Sequence, residues 1–190
     1  MQDVITIVSG LPRSGTSMMM RMLEAGGMDL VVDNVRKADE DNPVGYFEFE
    51  QVKKIKEDIS WLDGVRGRAV KMVSELLRHL PAHNRYKVIF MRRDMQEMLK
   101  SQRTMLERKG VKDSINDEEM ARFFQKHVAD IEEWLRKQPH IDVLYINYND
   151  AVKEPLKSAR QVNAFLANTL NADKMAAAVD GLLYRNRRPA

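Results

Sequence analysis

Val4-Ile5-Thr6-Ile7-Val8-Ser9-Gly10-Leu11-Pro12-Arg13-Ser14-Gly15-Thr16-Ser17 decides the fold of this chain. A β-branched apolar run, a loop bounded by two glycines and a hydroxyl-bearing helix start follow one another without a break. That order, with the spacing G-x-x-x-x-G, fits a phosphate loop, in which successive backbone N–H groups curl around an anion at the positive end of a helix. One position departs from the G-x-x-x-x-G-K-[ST] form of the nucleotide hydrolases. Thr16 stands where lysine is required, and the nearest cation is Arg13 inside the loop. Lysine is the group that reaches the terminal phosphates of a triphosphate; without it, the loop amides and the Thr16 and Ser17 hydroxyls still suit one phosphate. The expected ligand is therefore a single 5′-phosphate, cradled by Gly10, Ser14, Gly15, Thr16 and Ser17. Arg13 stands at the rim, where a guanidinium matches the spread charge of a phosphate or sulfate oxyanion.

At 190 residues the chain is long enough for one full core and too short for two of ordinary size, so residues 1–190 are expected to form one domain. With 44% apolar and 31% charged residues it reads as globular, and a net charge of +3 is too small to argue for nucleic acid. A local basic site is the economical use of that excess. Cysteine is absent and the four histidines (His79, His83, His127, His140) have no ligand-like spacing, so no metal site is expected. No basic segment leads into an apolar targeting run, and no stretch approaches the ~18 apolar residues of a membrane span. A cytoplasmic protein is the expectation.

Short apolar runs recur at Val4 to Val8, Leu30 to Val32, Ala69 to Val73, Lys87 to Met91 and Val143 to Ile146, with helix-like stretches between most of them. Such alternation predicts an α/β fold whose central parallel sheet, of about five strands, carries helices on both faces. The first helix should run from about Gly15 to Ala25 and stop at Gly26-Gly27. Another should start near Asp94, a third should span Asp117 to Lys137, and a last one should start at Pro155. Arg36 to Tyr46 and Glu107 to Asn116 read as irregular segments, the kind that carries selectivity.

With the residues set out, Leu11-Pro12-Arg13-Ser14-Gly15-Thr16-Ser17 resembles the loop P-[KR]-S-G-T-[TS] of the sulfotransferases that use 3′-phosphoadenosine 5′-phosphosulfate. Arg93, followed eight residues later by Ser101, resembles that family's 3′-phosphate site, R-[ND]-P-x-x-x-x-x-S, with Met95 in the place of the proline. Asn42-Pro43-Val44-Gly45-Tyr46-Phe47-Glu48 is similar to an N-P-x-G-[FY]-[FW]-E stretch of bacterial and tyrosine-directed relatives, whose glutamate is a candidate base. Tyr148-Asn149-Asp150-Ala151 resembles a Y-E-D-L segment of mainly structural role. Lys71 matches the lysine of the family's K-[TSD]-[HP], while Val73 stands where many cytosolic relatives carry a catalytic histidine.

The resemblance implies a three-layer P-loop fold and sulfuryl transfer from 3′-phosphoadenosine 5′-phosphosulfate to a hydroxyl or amine on a small-molecule or carrier-bound acceptor, without a metal. The loop would hold the 5′-phosphate, Arg93 and Ser101 the 3′-phosphate, Arg13 and Lys71 the reacting charge, and Glu48 the acceptor proton. Two other readings stay open. A small-molecule kinase would use ATP and magnesium with Lys71 and Asp94, and a binding module would keep the phosphate sites without turnover. His127 lies on an amphipathic stretch and is expected to pack. The basic run Arg185, Arg187 and Arg188 either closes over the 3′-phosphate or stays in solvent.

Overall fold

The computed structural model describes residues 3–33, 35–39, 42, 45–108, 110 and 116–181. Four strands, β1 (Val4–Gly10), β2 (Ala69–Val73), β3 (Arg85–Arg92) and β4 (Ile141–Asn147), form one parallel sheet in the order β2-β1-β3-β4. From β1 the chain moves to β2 on one side, then crosses to β3 on the other. The carboxyl ends of β1 and β3 therefore diverge at a topological switch point, the crevice where α/β sheets take their ligands. Gly10 pairs with Met91. The loop after β1 and the residues after β3 thus leave the sheet at nearly the same level.

Among the described residues six α-helices occur in chain order: α1 (Thr16–Ala25), α2 (Met95–Arg108), α3 (Asp117–Arg136), α4 (Tyr148–Lys153), α5 (Pro155–Phe165) and α6 (Ala172–Ala177). Strand alternation sends Ile5, Ile7, Val70, Met72, Val88 and Phe90 into a core shared with Ile131 and Leu135 of α3. Val8, Ala69, Ile89 and Met91 join the opposite core with Met19, Met20 and Leu23 of α1 and Val162 of α5. Both faces are covered, which is why these strands read as unbroken apolar runs. A third cluster, Leu11, Met98, Leu99 and Phe124, fastens α2 and α3 to the loop after β1.

Helix ends are set by local chemistry. At the end of α1 the Met28 N–H donates to the Leu23 carbonyl at 3.0 Å and the Gly27 N–H to the Glu24 carbonyl at 2.9 Å, the paired bonds of a Schellman cap. The Asn116 side chain accepts from the Glu119 N–H at 2.8 Å and so caps α3, whose first turn holds Asp117, Glu118 and Glu119 against the positive helix end.

The expected α/β class and the helices on both faces are present, but the sheet has four strands rather than five. Leu30 to Val32 contributes one isolated parallel bridge, Leu30 with Ala69. The Val31 N–H donates to the Ala69 carbonyl at 2.8 Å, but two residues on the Asp33 N–H donates to the Glu48 carbonyl at 3.1 Å, so the segment leaves β2 before a ladder forms. Nor is the helix at Pro155 the last, since α6 follows and buries Met175. Residues 109 and 111–115 of the second irregular segment, and the basic run beyond 181, lie outside the described residues. Among the described residues no helix is long and apolar enough to cross a membrane.

Phe90 is 1% exposed, on an inner strand, with its ring 5.7 Å from that of Tyr145. Phe90→Ala is expected to cost about 3–5 kcal/mol and to lower Tm by roughly 10 °C in thermal denaturation. Phe123→Ala, at a side chain 66% exposed, should stay within about 0.5 kcal/mol of the parent.

Candidate functional site

The loop between β1 and α1 closes tightly enough to demand both of its glycines. A Cβ on Gly10 would fall 2.5 Å from Ser14 Oγ and 2.6 Å from the Met91 carbonyl. At Gly15, with φ of +99°, a Cβ would fall 2.3 Å from the Tyr148 ring. Between them Arg13 takes a φ of 66°, a left-handed conformation that costs a non-glycine residue on the order of 1 kcal/mol. The α1 N-terminus has no side-chain cap among the described residues and no acidic residue in its first turn, so its own first turn leaves the positive end uncompensated. The Ser14 hydroxyl is buried in this loop and, among the described residues, makes no hydrogen bond. An unused buried hydroxyl beside an uncapped helix N-terminus suits an anion.

A second polar group assembles across the switch point. Arg93, just past β3, donates from Nη1 to the Arg13 carbonyl at 3.1 Å, and Arg13 Nε donates to Ser101 Oγ at 2.9 Å. Ser101 faces inward two turns into α2 and is 2% exposed. Arg13, Arg93 and Ser101, far apart in sequence, therefore share one corner of the loop. Three residues whose part in it sequence reasoning missed hold that corner. The Arg93 guanidinium stacks 4.4 Å from the Tyr148 ring centroid, and its Nε lies 3.4 Å from Glu97 Oε2 in a pair buried on both sides. Asn149 Nδ2 donates to the same Glu97 oxygen at 3.0 Å. Glu97 stands four residues after Arg93, a one-turn spacing readable in the sequence; the contacts from Tyr148 and Asn149 arrive from beyond β4. Asp94 Oδ1 accepts from the Gln96 and Glu97 N–H groups at 3.0 and 3.1 Å, which caps the start of α2.

The third group lies on the β2 side. Lys71 Nζ donates to the Tyr46 carbonyl and sits 3.7 Å from Glu48 Oε1. Ser17 Oγ, at the start of α1, donates to that same carbonyl at 3.4 Å, and Asn42 Nδ2 donates to Ser17 Oγ at 3.0 Å. The chain around Tyr46 thus lies across the entrance to α1. Glu48 gathers three cations: Arg36 at 2.9 Å, Lys53 at 3.7 Å and Lys71. Arg36, missed in the sequence, also stacks 3.3 Å from the Tyr46 ring centroid.

Burial pushes the Lys71 ammonium down to about 8; Glu48 opposes the shift, while Arg36 and Arg13 add to it. Burial and the hydrogen bond to Asp39 push the Tyr46 phenol up to about 12, so it remains a proton donor near neutrality. His79 and His83 are exposed beyond β2, away from these three groups in the chain.

The family model of the sulfotransferase domain matches residues 3–188. Three solved structures have the same fold at low identity. The sulfotransferase domain of the curacin biosynthetic pathway is 16% identical, with 98% of this chain and 92% of that one covered and a TM-score of 0.57. The sulfotransferase domain of the olefin synthase of Synechococcus PCC 7002 is 13% identical, with coverage of 97% and 80% and a TM-score of 0.55. A mouse sulfotransferase complexed with PAP is 18% identical, with coverage of 94% and 63% and a TM-score of 0.52. No curated protein matches the sequence.

Proposed function

Because the chain belongs to the sulfotransferase domain family, we propose that it moves a sulfuryl group from 3′-phosphoadenosine 5′-phosphosulfate to a hydroxyl or amine of a small-molecule or carrier-bound acceptor. The observation that carries the donor's identity is the corner where Arg93 and Ser101 meet a phosphate loop that lacks lysine. One phosphate suits the loop and a second, separate phosphate suits the corner, which is the pattern of a nucleotide phosphorylated at both 5′ and 3′. Ligands of this kind fit what the chain offers: an uncapped helix N-terminus, the unused Ser14 hydroxyl and two guanidiniums on adjacent strand ends. PAP in the mouse sulfotransferase structure supports the same reading.

The residues divide the work by position. The loop amides from Ser14 onward, with the Thr16 and Ser17 hydroxyls, hold the 5′-phosphate; Arg93 and Ser101 hold the 3′-phosphate, with Glu97 and Tyr148 fixing the Arg93 plane. Arg13 and Lys71 face the charge that develops as the sulfuryl group passes in line from the phosphate oxygen to the acceptor. Orientation and fixed positive charge supply the acceleration, by analogy with phosphoryl transfer. Glu48, expected from the sequence to take the acceptor proton, has three cationic partners, an arrangement that favours it as the counter-charge that positions Lys71.

The kinase reading needs a carboxylate to hold magnesium, and its candidate, Asp94, is engaged by two backbone N–H groups at the start of α2. That favours sulfuryl transfer. Calorimetry without magnesium is the direct test, and adenosine 3′,5′-bisphosphate should bind. Arg93→Ala should weaken it by roughly 2–4 kcal/mol while leaving adenosine 5′-phosphate nearly unaffected. Equal losses for the two ligands would remove Arg93 from the 3′-phosphate, and a need for magnesium with ATP would support the kinase.

Lys71 generates a pH prediction. Its ammonium is charged below about pH 8 and loses its proton as the pH rises through that value. kcat/KM for the donor, which reports groups of the free enzyme, should fall on the alkaline side with an apparent pKa near 8. Lys71→Arg, charged throughout, should abolish that limb even where it lowers the rate. A limb unchanged in Lys71→Arg would assign it to another group.

A further inference from the structure

We propose that His127 of α3 takes the acceptor's proton during sulfuryl transfer and that Ser74 orients its ring; the inference rests on the sulfuryl-transfer reading above. Attack by a neutral hydroxyl needs a group that accepts a proton as the new bond forms. Glu48 already balances three cations. Tyr46 holds its proton, with a phenol pushed up to about 12. An imidazole with one nitrogen fixed and the other unused is the better instrument, and α3 carries one.

Ser74 is the residue directly after β2, three beyond Lys71, and its Oγ lies 2.9 Å from His127 Nε2. Val73, its neighbour, pairs in register with Gly10, the first glycine of the phosphate loop. Leu11, the next residue of that loop, packs in the same small cluster as Phe124 and Val128, which bracket His127 on α3. Two contacts, one through Leu11 and one through Ser74, therefore hold this turn of α3 at the carboxyl edge of β1 and β2. The other histidines lie elsewhere: His79 and His83 are exposed between β2 and β3, and His140 precedes β4, at the opposite edge of the sheet.

Ser74 is buried, at 2% exposure, whereas His127 is only half-buried. His127 makes no hydrogen bond other than that to Ser74 among the described residues. The proposal uses the tautomer in which Nε2–H donates to Ser74 Oγ, which leaves the Nδ1 lone pair to receive a proton. In the step itself the acceptor oxygen forms a bond to sulfur while the bond from sulfur to the 5′-phosphate oxygen breaks. That bond's electron pair stays on the departing phosphate, whose charge Arg13 and Lys71 meet. The acceptor proton passes to Nδ1 of His127, and the imidazolium returns it to solvent.

The test compares two kinds of acceptor with 3′-phosphoadenosine 5′-phosphosulfate as donor: a panel of neutral aliphatic alcohols and phenols, and 4-nitrophenolate, which is already ionised and needs no base. His127→Gln should lower kcat for the neutral acceptors about 100-fold or more. It should lose far less with 4-nitrophenolate and bind adenosine 3′,5′-bisphosphate as the wild type does. His127→Gly should regain turnover on neutral acceptors when imidazole is added. Ser74→Ala keeps the imidazole but frees its ring, and should show a smaller loss confined to the neutral acceptors; it carries the test if the His127 variants do not fold. An unchanged kcat for neutral acceptors would overturn the proposal. So would equal losses for both acceptor classes, which would make His127 a packing residue. Wild-type protein that binds the bisphosphate yet transfers to no acceptor of either class would overturn the sulfuryl-transfer reading itself, and this inference with it.

Discussion

The site depends on a tie between the ends of two neighbouring strands. Arg93, at the end of β3, holds the backbone carbonyl of Arg13 in the loop after β1, while the Arg13 side chain reaches across to Ser101 on α2. This tie helps to hold Arg13 at a φ of 66°, a conformation it would not keep unsupported. The same tie gathers two arginines at one corner of the loop, a concentration of positive charge that costs electrostatic energy unless counter-charges lie near. Glu97 supplies one from within the chain, with Asn149 and the face of Tyr148 keeping the pair in register. In the proposed function the donor's two phosphates supply the rest.

A parallel arrangement governs the β2 side. The Tyr46 carbonyl accepts from both Lys71 and Ser17, the lysine proposed to meet the departing charge and a hydroxyl proposed to hold the 5′-phosphate. Backbone and ligand would compete for the same donors, so this part of the chain is linked to the state of the loop. Burial already disfavours the charge on Lys71, and a ligand anion would restore it. In the proposed function these cations would gain counter-charge from the donor's phosphates, an electrostatic preorganisation suited to that chemistry.

What could be read from sequence follows the range of the interactions. The β1, loop and α1 unit was legible because its cues are local: a β-branched run, glycines where a Cβ would collide, and hydroxyls at a helix start. The α/β class followed from strands buried on both faces. The strand at Leu30 to Val32 failed because the segment leaves β2 after a single bridge and turns to Glu48, a tertiary contact that no local pattern reveals. The helix α6 was missed because six residues show too little periodicity, although Asn171 accepts from the Lys174 N–H as an ordinary cap. In the site, Arg93 and Ser101 carried a spacing that could be seen, whereas Tyr148 and Asn149 act across more than 50 positions. For His127, read as a packing residue, the hydrogen bond to Ser74 was not legible because Ser74 stands on another element.

Where the two phosphates of one ligand sit decides the assignment of the site, and a crystal structure with adenosine 3′,5′-bisphosphate measures that. The predicted result has the 5′-phosphate on the loop amides from Ser14 to Ser17, and the 3′-phosphate within hydrogen-bond distance of the Arg93 guanidinium and Ser101 Oγ. A 3′-phosphate lying in solvent, or a bisphosphate bound away from the β1–β3 crevice, would contradict it.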